Sequence, residues 1–269
     1  MRGRGGIALI IPIIIGLITV ASLYFGAEGQ TVPITGRSQK VGLTDEQQMS
    51  LGEQVYDETL QTEASKILTS GPQYEMVRRV AERIVNVAND DKSEFEWEVT
   101  LIDEPIVNAY CLPGGKIVVY TGILTAAEND AQLATVMAHE VAHAIAEHGA
   151  ERMLQQQISS AAVQSAAGAL ASNPEQFQQV AALLGAGAQV GLTLPWGRGQ
   201  ESEADHIGLV YMARAGYDPH EAVTFWENMD KLSGGQAPPE YLSTHPSGET
   251  RIRQIQEWMP EALEEYEGA

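Results

Sequence analysis

The stretch that most constrains this chain is TVMAHEVAHAIAEHGAERM, residues 135–153. An Ala-rich, helix-forming run carries His139 and His143 four positions apart, with Glu140 beside the first. Four helical residues turn through about 400°, so both imidazoles leave one face, one turn apart, and can grip a single ion. Glu140 lies about 100° further round, poorly placed as a ligand but well placed to hydrogen-bond a water at that ion. Two His and a Glu inside an apolar helix are costly to bury without partners. The run therefore predicts a helix from Glu128 to His148, closed by Gly149, with two Zn²⁺ ligands and a general base on it.

Catalytic zinc takes three protein ligands and keeps a fourth position for water. His148 is not a ready third: it stands about 180° round the helix from His139 and reads as a cation at the helix C-terminus. The pattern H-E-x-x-H-x-x-G-x-x-H fails too, because Ala146 and Gly149 occupy the positions that need Gly and His. The next candidate is RGQESEADHIG, residues 198–208, on a helix expected over 200–215. Glu201 and Asp205, four apart, point together. One carboxylate can face the metal while the other orients a ligating His through its second ring nitrogen. Glu203, about 200° round from Glu201, is expected in solvent. His206, His220 and Cys111 read as structural or surface residues.

Around this centre the period of the chain changes several times. A capping box from Thr44 to Gln47 opens a helix reaching about residue 67, and a second helix starts near Pro72. FEWEVTLI (95–102) alternates as a half-buried strand, and residues 106–124 read as a hairpin turning at Pro113-Gly114-Gly115, with a second strand over 116–120. Residues 150–190, rich in Ala, Gln and Ser, fit either a pair of packed helices or a mobile helical lid. Residues 191–199 are expected as a loop, 218–221 as a capping box opening a helix to about 232, 233–248 as a loop, and 249–259 as the last helix. The fold class is α+β, mainly α-helical with a small β-sheet.

Residues 7–25 run for 19 positions without a charge. As a helix they extend about 28 Å, close to the hydrocarbon thickness of a bilayer. The expectation is an uncleaved transmembrane anchor over 1–26, with a cleaved signal peptide as the alternative, then a linker over 27–43 and one domain over 44–269. Arg2 and Arg4 then stay cytoplasmic, and the rest lies outside the cytoplasm, single-pass on a cell membrane, or secreted if 1–26 is removed. With 16 Lys+Arg against 36 Asp+Glu, the formal charge of −20 argues against nucleic acid as a partner. A single cysteine excludes an intrachain disulfide.

H-E-x-x-H followed by E-x-x-A-D from Glu201 resembles the zinc metallopeptidase family that includes the CAAX prenyl protease and the heat-shock protease HtpX. NAYCLPGGKIVVYTGIL (108–124) is similar to that family's segment before the zinc helix. PITGRSQKVGLTDEQQMSLG (33–52) is similar to the entry of its soluble, membrane-attached bacterial members, and STHPSGETRI (243–252) to its Ser-Thr-His-Pro element. The resemblance implies a zincin-like domain and one Zn²⁺ per chain, with His139, His143 and Glu201 as ligands and Glu140 as base. It also implies that His245 approaches the zinc, as a latent fourth ligand or an oxyanion contact. Ala142 and Gly197 depart from the family, where Gly and Ser are common. One span and no repeat tail point to the single-span subtype. The function implied is a zinc endopeptidase acting on unfolded or damaged envelope polypeptides. If Lys116, Ile117, Val118 and Val119 form a sheet edge beside the cleft, they can pair with substrate backbone. The rival is a membrane-anchored, zinc-containing chaperone or binding protein with little turnover, against which Glu140 argues, since a structural site needs no base.

Overall fold

The computed structural model describes residues 4–92, 94–171, 173–189, 194–234, 240–245 and 248–269. Arg2, residues 191–193 and 235–239 of the two expected loops, and Pro246 lie outside them. The chain forms two compact units. The first comprises Met1–Thr31, Ser38–Thr44 and His148–Gln200; the second comprises Val32–Arg37, Asp45–Glu147 and Glu201–Ala269.

In the first unit, helix α1 (Arg4–Gly26) runs against α5 (His148–Leu170). The approach is close enough to need small residues: a Cβ on Gly16 would lie 2.2 Å from Ser165 Oγ, and that hydroxyl donates to the Pro12 carbonyl at 2.6 Å. Among the described residues no helix is long and apolar enough to cross a membrane, so the expected transmembrane anchor gains no support. Residues 27–43, expected as an extended linker, hold an antiparallel hairpin of β1 (Glu28–Thr31) and β2 (Ser38–Val41). Its four-residue strands are too short and polar to show a period-2 pattern. The Ala-rich segment resolves to the helix pair, with α5 packed on α6 (Pro174–Ala188). Asn173 caps α6 by accepting the Gln176 N–H at 2.9 Å.

The second unit is built on α2 (Asp45–Thr62), α3 (Pro72–Ala88) and a four-stranded sheet of β3 (Ile67–Leu68), β4 (Glu98–Ile102), β5 (Ala109–Leu112) and β6 (Lys116–Tyr120). The strand order is β3-β4-β6-β5. β5 and β6 form the expected hairpin, with Gly114 and Gly115 both at φ 86°. β6, however, is an inner strand. It pairs in parallel with β4 and antiparallel with β5, so Val118 faces Thr100 on one side and Tyr110 on the other. The expected role of Lys116, Ile117, Val118 and Val119 as a free sheet edge is therefore corrected: their backbone groups are taken up on both sides. The edges are β3 and β5.

Helix α4 (Asp130–Ile145) is sheathed by α3 and the sheet, with Leu133, Met137 and Val141 wholly buried. It stops three residues short of the expected end. Glu147 takes a left-handed backbone at φ 52°, and its carboxylate is held by Gln48 Nε2 at 2.6 Å and Lys92 Nζ at 2.7 Å. His148 then opens α5 rather than closing α4, and Gly149 caps nothing. The unit is completed by α7 (Leu194–Arg214) from Glu201 onward, α8 (Glu221–Ser233), α9 (Glu240–Thr244) and α10 (Glu249–Glu267). Part of each expected loop is thus helical. α10 also continues past residue 259 through Pro260, because its buried stripe of Ile255 and Met259 extends to Ala262.

Candidate metal centre

The site forms where α4, α7 and the end of α9 meet. His139 and His143 leave one face of α4 as their spacing requires, with Nε2 atoms 3.1 Å apart. Glu201, on the facing side of α7, puts Oε2 3.4 Å from His139 Nε2 and Oε1 3.3 Å from His143 Nε2. Tetrahedral ligands at roughly 2.0–2.1 Å from one ion stand about 3.3 Å from one another. The three side chains therefore match the cage of a small divalent cation. His245, directly after α9, adds Nδ1 at 3.0 Å from His139 Nε2 and 2.7 Å from Glu201 Oε2. Ligand atoms of His139, His143, Glu201 and His245 all lie within 4.8 Å of one another.

The surroundings orient this set. His139 Nδ1 lies 2.9 Å from Asp205 Oδ1, so a proton on Nδ1 leaves the Nε2 lone pair for the cluster. Asp205 is held in turn by Arg251, whose Nη2 donates to Oδ1 at 2.7 Å and whose Nε lies 2.6 Å from Oδ2. The guanidinium also stacks on the Trp226 ring at 3.6 Å. Burial works against charge on His139, yet Asp205 and Glu201 outweigh it and push its pKa up to about 9. Burial likewise opposes ionisation of Glu201, but the three neighbouring imidazoles hold it far below the usual carboxylate range. For Asp205 the opposing burial is overcome first by the Arg251 charge and then by His139.

Glu140 is buried, and its Oε1 has no hydrogen-bond partner among the described residues. Oε1 lies 3.6 Å from His245 Nε2. An unsatisfied carboxylate oxygen is costly in an interior. Beside a ligand cage it is accounted for by a water shared with the cation, so the residues fit a metal. The Tyr241 side chain is buried beside it, and its ring stacks on His245 with centroids 4.5 Å apart.

The sequence reading missed Arg251 as a functional residue. Its signal was position: it heads the buried stripe of α10, where a cation needs a partner. Glu203 was expected in solvent, but it is buried and accepts from Thr35 Oγ1 at 2.5 Å and Arg37 Nε at 2.7 Å. His206 pairs with Glu261 at 2.7 Å and stacks on Trp258, while His220 pairs with Asp218 at 2.8 Å; neither reaches the cluster. Cys111 lies on β5, where burial, followed by the charge of Glu140, keeps its thiol protonated.

The model of peptidase family M48 matches residues 73–259. The chain is 36% identical over 248 residues to the mitochondrial metalloendopeptidase OMA1 of Schizosaccharomyces pombe, covering 91% of this chain and 71% of that protein. It is 45% identical over 174 residues to the protein of that name from Arabidopsis thaliana, covering 64% of this chain and 34% of the relative. Over 252 residues it is 33% identical to the beta-barrel assembly-enhancing protease of Escherichia coli, covering 91% of this chain and 50% of that protein. The expected location, single-pass on a cell membrane with the catalytic domain outside the cytoplasm, does not stand. The yeast and plant relatives are mitochondrial by name, and no described helix can cross a membrane.

Proposed function

The chain belongs to peptidase family M48 and is a metalloendopeptidase, and on that premise we propose that its metal is zinc, held by His139, His143 and Glu201. The observation that carries this reading is the mutual spacing of their ligand atoms at 3.1, 3.3 and 3.4 Å. Two imidazoles and a carboxylate are a donor set that suits zinc and leaves a position for chemistry. When bound there, zinc supplies a Lewis acid for the scissile carbonyl and brings the pKa of water down to about 7. Glu140 takes the proton of the attacking water at Oε1 and delivers it to the leaving amine nitrogen. Asp205 keeps His139 in the tautomer that presents Nε2, and Arg251 keeps Asp205 charged. His245, whose Nδ1 lies 3.0 Å from His139 Nε2 and 2.7 Å from Glu201 Oε2, would add a fourth ligand to the bound zinc or donate to the oxyanion.

The substrates we infer are unfolded polypeptides. β5 is an edge strand, and it packs against α4, the helix that carries Glu140. An extended chain pairing along Ala109–Leu112 brings its own carbonyls to the site by strand addition, which a folded substrate cannot do. The rival reading, a zinc-containing chaperone with little turnover, is disfavoured by a buried Glu140 whose Oε1 has no hydrogen-bond partner among the described residues. Metal analysis of the purified full chain tests the ligand set. One zinc per chain is expected in the wild type and none in Glu201→Gln; a Glu201→Gln protein that keeps its zinc would remove Glu201 from the set.

A further inference from the structure

We propose that Arg37, with Thr35, is a positioning residue for the metal site, acting through Glu203 to fix the rotation of α7 about its own axis. The proposal rests on the zinc-peptidase reading, because its effect is felt at Glu201. Glu203 stands about 200° round the helix from Glu201, and Asp205 about 40° from it. The carboxylates that serve the metal thus share the front of α7, and Glu203 is on the back. There it is buried, with 7% of its side chain exposed, and it accepts from Arg37 Nε at 2.7 Å and Thr35 Oγ1 at 2.5 Å. The front is held by Arg251 on Asp205. A helix gripped on opposite faces within one turn cannot roll.

The turn that does the gripping is itself firmly built. Val32 N–H donates to the Arg37 carbonyl at 2.8 Å, and Gly36 N–H to the Val32 carbonyl at 3.0 Å. Val32 is fully buried in the core of the second unit. Ile34 adopts φ 65°, a left-handed backbone that a β-branched residue rarely takes and that persists only where surroundings enforce it. Gly36 has φ 66° at no such cost. A six-residue turn held this way can act as a fixed stop.

The consequence for the metal is geometric. A side chain reaches about 6 Å from the helix axis, so a roll of about 10° moves the Glu201 carboxylate by about 1 Å. Ligand cages tolerate about 0.5 Å. Losing the rear grip should therefore loosen the cage without removing any ligand.

The test compares full-length wild type, Arg37→Ala, Arg37→Lys, Glu203→Ala, the Arg37→Ala/Glu203→Ala double variant, and Arg78→Ala as an exposed control. Three quantities are read: zinc dissociation constant by chelator competition, kcat and KM on an unfolded peptide, and thermal midpoint. Arg37→Ala and Glu203→Ala should each raise the zinc dissociation constant by about 10–100-fold and lower kcat by a similar factor, with KM within twofold. The double variant should be no worse than either single one. Arg37→Lys should recover part of the loss, and Arg78→Ala should match wild type. If Arg37→Ala does not fold, Thr35→Val, which deletes one donor, is read the same way. A folded Arg37→Ala protein with a lowered midpoint but wild-type zinc affinity and kcat would reduce the clamp to a structural contact and overturn the proposal. Failure of wild type to bind zinc would overturn the underlying reading instead, so the two failures are distinguishable.

Discussion

Gly208 is where α7 crosses α4, and its substitution gives a sharp prediction. A Cβ built there would lie 2.9 Å from the His139 nitrogen and 3.1 Å from both Ala138 C and His139 Cα. All three are backbone atoms of the metal helix, so no side chain can swing aside. Comfortable separation is about 3.5 Å or more, so Gly208→Ala must part the helices by about 0.6 Å. Overpacking of this kind costs about 1–3 kcal/mol, whereas alanine gains about 1 kcal/mol over glycine in a helix interior. The two partly cancel in stability, leaving a net cost of about 0–2 kcal/mol, and the thermal midpoint should fall by no more than about 8 °C. They do not cancel at the site, because His139 and Glu201 sit on the two helices being separated. Zinc affinity should drop at least tenfold, and kcat about 10²-fold, as a displacement near 1 Å costs elsewhere. Chelator competition and peptide hydrolysis at a temperature where both proteins are folded give the answer. A Gly208→Ala enzyme with wild-type zinc affinity and kcat would refute the claim that this crossing sets the cage.

Three further outcomes are expected. His139 in the metal-free protein has its pKa pushed up to about 9, so at pH 7 it carries a proton that the metal must displace. Zinc binding should then release about one proton from this group and tighten about tenfold per pH unit as pH rises toward 9; calorimetry showing no dependence on the buffer's ionisation enthalpy would contradict this. In stability terms, the contribution of protonated His139 to the metal-free fold is full below its unfolded pKa near 6.5 and is lost as pH rises through about 9. His245→Ala should leave zinc bound and change basal peptide hydrolysis, upward if the side chain blocks the site and downward if it contacts the oxyanion; activity equal to wild type would remove both roles.

Much of the centre was legible because helical angles are local. The 40° between His139 and His143, and between Glu201 and Asp205, follows from a spacing of four, and both pairs face the cluster as those angles require. What the sequence hid was set by partners far along the chain. α4 ends at Ile145 because Gln48 and Lys92 hold Glu147 in a left-handed turn. β6 became an inner strand because β4, across a parallel crossover, took its open side. Glu203 left solvent because Thr35 and Arg37, more than 160 residues earlier, reach it. Arg251 serves the site only because Asp205 and Trp226, distant along the chain, enclose it. The hairpin at 28–41 lay concealed in strands of four residues.

The central claim is that Glu140 is the base of a zinc peptidase, and Glu140→Gln tests it most directly. Casein hydrolysis and zinc content are measured side by side on the full-length wild type and variant. The account predicts one zinc per chain in both, with hydrolysis reduced by about 10²–10⁴-fold in the variant. Hydrolysis that survives Glu140→Gln unchanged, or a wild-type protein that cleaves casein with no bound zinc, would contradict it.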